Sequence, residues 1–169
     1  MIPEFSRLVD IRHLPERPIA IAADAAERAA LAERFAIEAI DRLEAEVALD
    51  REGGIVLATG RFEADIVQVC AVAGEPFPTR IADDLALRIV QGPAAHRPDE
   101  EIELDAEDCD EIAVAGPHFD LGEAVAQSLA LAIDPYATGP DAERVRREAG
   151  LSDEAASGPF AVLSGLVKR

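Results

Sequence analysis

Three histidines, two cysteines and 34 carboxylates are the side chains of this chain whose types could do chemistry. The histidines stand apart. His13 precedes a proline turn, His96 lies in a Gly- and Pro-rich stretch, and His118 stands just ahead of a capping aspartate. No two share the i, i+4 spacing with which a helix presents a pair of imidazoles to a metal. There is no Gly-rich phosphate loop and no serine nucleophile motif. Cys70, at the end of a strand-like run, is a candidate nucleophile for which the sequence shows no base, so a small buried apolar residue is the preferred reading. Cys109 lies among carboxylates, which raise a thiol's pKa and blunt its reactivity. Two cysteines so far apart form no disulfide framework. The expectation is a chain without catalytic residues, cofactor or metal.

The carboxylates are concentrated in one place. Asp99, Glu100, Glu101, Glu103, Asp105, Glu107, Asp108, Asp110 and Glu111 put nine acids and no base into residues 99–111, half of the net charge of −18. Such a block repels itself and belongs on a solvated edge or loop. It lacks the spaced Asp and turn Gly of a calcium loop. The cations number 16, with Lys168 the single Lys, and they cluster as Arg7, Arg12 and Arg17 near the start and as Arg144, Arg146 and Arg147 late in the chain. RNA affinity comes largely from cations that neutralise phosphates, so a chain of this charge repels RNA at long range. With 4% aromatics and no Trp it has few rings on which to stack bases. An acidic surface fits a basic protein partner better, because complementary charge steers association. No apolar run approaches the roughly 20 residues of a membrane helix. The first residues lack the basic-then-apolar pattern of a secretory leader, so a cytoplasmic protein with no membrane partner is expected.

The elements that must position these groups follow from periodicity. Residues 5–11 and 19–21 read as short strands. Asp24 with Glu27 three residues later is a capping pattern, predicting a helix over 24–36 with Leu31 and Phe35 on its buried face. From Leu43 the period becomes two, through Ala45, Val47 and Leu49, and Gly53-Gly54 is a hairpin signal. The return strand runs from Ile55 to about Cys70, bent or bulged near Gly60. Gly74-Glu75-Pro76 and Pro78 close it, and 85–90 forms the next strand. Asp120 with Glu123 repeats the capping pattern ahead of a helix over 120–133, with Leu121, Val125, Leu129 and Ile133 as its stripe. That stripe is read as packing on the sheet rather than as an interface. The fold class is α+β: a small antiparallel meander of three or four strands, able to curl toward a barrel, with two main helices. Residues 1–136 are expected to form one domain containing a linker and acidic strip at 91–111. Residues 137–169 are expected to be a mobile tail with a short polar helix over 141–149 and a terminal apolar group.

Several stretches resemble a known family. Phe119-Asp120-Leu121-Gly122-Glu123-Ala124-Val125-Ala126-Gln127-Ser128-Leu129-Ala130-Leu131-Ala132-Ile133-Asp134-Pro135-Tyr136 resembles the signature helix of the YceD family of bacterial and plastid proteins. The acidic stretch at 99–111 sits where that family carries one. Residues 65–76, with Cys70 and then Glu75-Pro76, look like the family's strand-to-turn segment, and residues 158–169 are similar to the tail of alphaproteobacterial members. The resemblance implies a role in accumulation of large-subunit (23S) ribosomal RNA, hence in ribosome biogenesis, with no known catalytic centre. Many members carry a second Cys three residues after the first, a pair that could bind zinc. Ala73 holds that position here, so a thiolate metal site is not expected.

Together these readings predict a non-enzymatic ribosome-biogenesis factor that docks a basic ribosomal protein or large-subunit assembly factor on residues 99–111. Ile102 and Leu104 alternate with acids there, so the strip could add a strand to a sheet edge, or it could supply solubility alone. Phe160 and Leu163 of the terminal apolar group either fold back over the core or insert into a partner's groove, the second being preferred. The alternative function is direct rRNA contact through Arg144, Arg146 and Arg147. Solvated or internally paired surface is the plainer reading of those arginines.

Overall fold

A computed structural model describes residues 3–92 and 110–150. In chain order the elements are β1 (Leu8–Asp10), β2 (Ile19–Ala22), α1 (Ala25–Phe35), β3 (Ala39–Glu52), β4 (Ile55–Val69), β5 (Pro76–Gln91), β6 (Asp110–Val114), β7 (His118–Asp120), α2 (Leu121–Ala132) and α3 (Ala142–Glu148). A five-stranded sheet has the order β2-β3-β4-β5-β6, and β1 and β7 form a separate two-stranded antiparallel ribbon. The class is α+β, as the periodicities predict.

The expected meander is present as β2 to β5, all antiparallel. Two parts of the expectation are corrected. The fifth strand joins parallel, with Leu87 opposite Asp110 and Gln91 opposite Val114. The chain leaves β5 and re-enters the sheet beside it in the same direction, and the eighteen residues between the two strands exceed the dozen or so that a parallel crossover needs. Among the described residues the sheet also stays open and does not close as a barrel, since β1 pairs with β7 and not with the sheet.

Alternation places one face of the sheet in the core. Leu43, Ala45, Val47 and Leu49 of β3, Val56, Ala58, Phe62, Ala64 and Ile66 of β4, and Leu85, Leu87 and Ile89 of β5 are all buried. The strand begins earlier than its period announces. A register shift between Ile40 and Arg42 changes the parity, so that Ile40 and Leu43 both face inward. Gly60 is not the bulge that the sequence suggests. Its pairing with Val47 and Leu85 is regular, and a Cβ there would lie 2.1 Å from the Glu46 carbonyl oxygen. It is Gly because the β3 backbone passes too close for a side chain.

β5 starts at Pro76 rather than at Leu85. The Asp84 amide donates to its own neighbour, Asp83 Oδ1, and the Gly92 amide donates to Val114 of β6. Even positions of β5 therefore point away from β4. Pro76 and Pro78 share that parity, so their missing N–H groups fall on an edge with no strand beside it among the described residues and cost the β4 ladder nothing.

The helices cover the core face. Asp24 Oδ1 accepts the Ala26 and Glu27 amides at 2.8 and 2.9 Å, while Glu27 Oε2 accepts the Asp24 amide at 2.8 Å. That is the reciprocal capping box the sequence announces. In α2, Leu121, Val125 and Leu129 are fully buried, so the stripe does pack inward. Gly60→Ala is expected to lower the stability of the full chain by about 1–3 kcal/mol, the range for forcing atoms into a packed site. A urea titration read by circular dichroism checks this, the expected result being a lower midpoint with an unchanged slope.

Candidate interaction surface

The residues that carry the family resemblance prove to be a structural latch. The Asp120 carboxylate accepts three hydrogen bonds: from the Ser6 hydroxyl at 2.6 Å, the Arg7 amide at 2.8 Å and the Glu123 amide at 3.2 Å. The Leu121 amide in turn donates to the Arg7 carbonyl oxygen at 3.0 Å. One side chain thus caps α2 and ties it to the start of the chain. Gly122 permits that approach, since a Cβ would lie 2.6 Å from the Phe5 carbonyl oxygen. Glu123 does not complete a capping box. Its carboxylate is drawn instead to the Arg34 guanidinium at 2.8 and 2.9 Å, and Arg34 also holds Glu4 at 3.0 Å. Arg7 makes the matching fork to Glu27 at 2.7 and 2.9 Å. These guanidinium hydrogen bonds, Arg34 on Glu123 and Arg7 on Glu27, hold both carboxyls below their ordinary range.

Most of the other described arginines also bond the protein's own acids or carbonyl oxygens. Arg12 forks onto Asp10 at 2.9 and 2.8 Å. Arg42 reaches Glu44 and Glu63, and Arg80 reaches Glu63 at 2.7 Å. Arg51 donates to the Ile11 carbonyl oxygen. On α3, Arg144 pairs with Asp141 and Glu148, Arg146 pairs with Glu143 at 2.6 Å, and Arg147 donates to the Glu143 carbonyl oxygen. Arg17 has no carboxylate within 4.0 Å among the described residues. The two arginine clusters of the sequence are therefore largely neutralised where they stand.

The acids exceed these pairs. Glu46, Asp50, Glu52, Asp83, Asp84 and Glu111 are exposed, and none is in an ion pair among the described residues. Of the predicted docking residues, Glu111 lies on β6 opposite Arg88 of β5, and Asp110 begins the same strand. Asp99, Glu100, Glu101, Glu103, Asp105, Glu107 and Asp108 lie outside the described residues, as do Cys109, Phe160 and Leu163.

Cys70 is buried, as the sequence favours, and it also takes part in hydrogen bonding. It is 2% exposed, and its Sγ accepts the Ala73 and Gly139 amides, each at 3.2 Å. The Ala73 amide, helped by that of Gly139, holds the thiol below its ordinary range. The Ala71 amide adds a bond to the Ala137 carbonyl oxygen at 3.0 Å. The β4–β5 turn thus fastens the chain just beyond α2, where the sequence placed the start of a tail. Ala142 at the head of α3 is buried as well. A contact between positions 69 residues apart leaves no periodic signal to read. Among the described residues no group of three or more His, Cys, Asp or Glu side chains is arranged to hold a metal ion, and no helix is long and apolar enough to cross a membrane.

Comparison with protein families gives a match over residues 58–167 to the model described as large ribosomal RNA subunit accumulation protein YceD. No significant match was found among curated proteins or among solved structures. The matched stretch begins inside β4, so the partners of Asp120 in the latch, Ser6 and Arg7, stand outside it.

The latch carries a pH dependence of definite sign. Carboxyls held below their ordinary value of 4.5 contribute stability that is complete above that value and is lost as pH falls through the lowered one. Glu123→Gln is expected to lower the urea midpoint at neutral pH and to narrow the gap between neutral and acid midpoints. An unaltered gap would place the acid sensitivity in other carboxylates.

Proposed function

The chain belongs to the YceD family, and on that premise we propose that it serves large-subunit ribosomal RNA accumulation as a cytoplasmic binding factor, docking a basic ribosomal protein or assembly factor on its acidic surface. The observation that carries this reading is the disposition of charge. Nearly all the guanidinium groups described above are held by the protein's own carboxylates and carbonyls, while a surplus of carboxylates faces solvent unpaired. Ribosomal RNA offers phosphate, which needs free cations to displace its counterions. A cationic protein offers what the surplus acids lack. Complementary fields of this kind raise association rates by about 10- to 1,000-fold and disfavour wrong partners.

Residues 99–111 add nine acids to the sequence, and on this reading they are the densest part of the docking surface, with Phe160 and Leu163 of the terminal group as an apolar contact. The ribosomal RNA is then reached indirectly, through the partner. The protein acts by binding, without catalysis.

Purification of the tagged chain from its own cytosol, with and without RNase, tests the reading. Basic large-subunit proteins that remain bound after RNase are the expected result. Recovery of 23S RNA that depends on intact RNA would instead assign the contact to nucleic acid and return attention to Arg144, Arg146 and Arg147. Replacing the nine acids of 99–111 by Asn and Gln halves the formal charge, and should slow association with a purified basic partner by at least about tenfold at low salt. Stopped-flow mixing measures this. An unchanged rate in a folded variant would remove the strip from the docking surface.

A further inference from the structure

Between α2 and the edge of β5 runs a groove of about 190 Å³. Its apolar floor is formed by Phe62, Leu85 and Leu87 of the sheet with Ala132 of the helix. Leu131 forms one lip and is 80% exposed, whereas Leu121, Val125 and Leu129 of the same helix are fully buried. The other lip carries Asp83 and Asp84, both exposed and in no ion pair among the described residues. A single exposed leucine is ordinary on a protein surface. One that borders a hollow of mixed lining, with apolar residues beneath and two carboxylates in no described ion pair opposite, offers both halves of a recognition site.

The backbone beside the groove narrows the kind of occupant. β6 pairs with β5 only from Leu87 onward, which leaves residues 76–86 as an open edge among the described residues. An added strand would find few donors there. Pro76 and Pro78 have none, and the outward amide of Asp84 is already held by Asp83. Prolines and charged side chains on an edge strand are among the features that keep sheet edges from pairing with other chains. The occupant must therefore enter by its side chains.

We propose that this groove receives one large apolar side chain of a basic protein segment, helical or looped, with a neighbouring Lys or Arg on Asp83 and Asp84. The inference rests on the proposed capture of a basic protein and deepens it by naming a further set of contact residues. A nucleic acid has neither the apolar anchor nor the positive charge. A second copy of this −18 chain would bring acid against acid.

The test uses the full chain, labelled with ¹⁵N, and two short synthetic peptides of Lys and Ala. One contains a single Leu, replaced by Ser in the other. The Leu peptide should move the amides of residues 83–87 and 128–132 and bind about tenfold more tightly than the Ser peptide, the difference expected for burying one apolar side chain. Leu131→Ser, or Asp83→Asn with Asp84→Asn, should each weaken it severalfold. Asn at 83 keeps the acceptor for the Asp84 amide, and all three positions are exposed, so the variants should fold. Equal binding of the two peptides, or shifts confined to other surfaces, overturns the proposal. Capture of purified large-subunit proteins separates it from the broader reading. If the native chain captures them and the groove variants capture them equally well, the groove alone fails. If the native chain captures none, both fail.

Discussion

The carboxylate of Asp120 is the group on which the rest of the arrangement depends. A helix leaves its first amides without partners, and a side-chain oxygen at the N-cap ordinarily satisfies one or two of them. Here the same carboxylate also takes a hydroxyl and an amide from residues 6 and 7, so that capping a helix and closing the chain are a single act. The ion pairs of Arg7 with Glu27 and of Arg34 with Glu123 stand on either side and bind α1 to the same junction. With that junction in place α2 can lie across β4 and β5, and the sheet receives a lid over one face.

What remained legible in the linear chain was whatever repeats over short distances. The capping box of α1 needs only Asp24 and Glu27, three residues apart, and it forms as read. The alternation from Leu43 to Leu49 and the stripe of α2 are likewise local, and both bury the face they announce. The prolines of β5 misled because their cost depends on which edge they occupy, and that is settled by a neighbouring strand. The parallel entry of β6 depends on a direction of return that no periodicity records. The candidate site divides in the same way. An acidic run is visible in any sequence, but Asp83, Asp84 and Leu131 acquire meaning only when β5 and α2 are set side by side.

Charge and fold serve different ends in this molecule. Four of the arginine pairs join elements: α1 to the N-terminal segment, α1 to α2, β3 to β4, β4 to β5. Exposed pairs of this kind add little stability singly, and the fold rests on its apolar core. Their greater effect is on the outside. They pair much of the positive charge at the described surface and leave acids such as Glu46, Asp50, Asp83 and Asp84 in excess there.

The pairing of β1 with β7 also sets a timetable. Ser6 and Asp120 are separated by 114 residues, so β1 has no partner until more than a hundred further residues have been made. At translation rates of about 5–20 residues per second, that wait is on the order of ten seconds. The meander from β2 to β5 needs only neighbours and can assemble meanwhile, whereas Phe5 stays uncovered until α2 emerges. A nascent chain interrupted before Asp120 would thus present an intact hairpin core with a loose leading end, a difference that proteases could read.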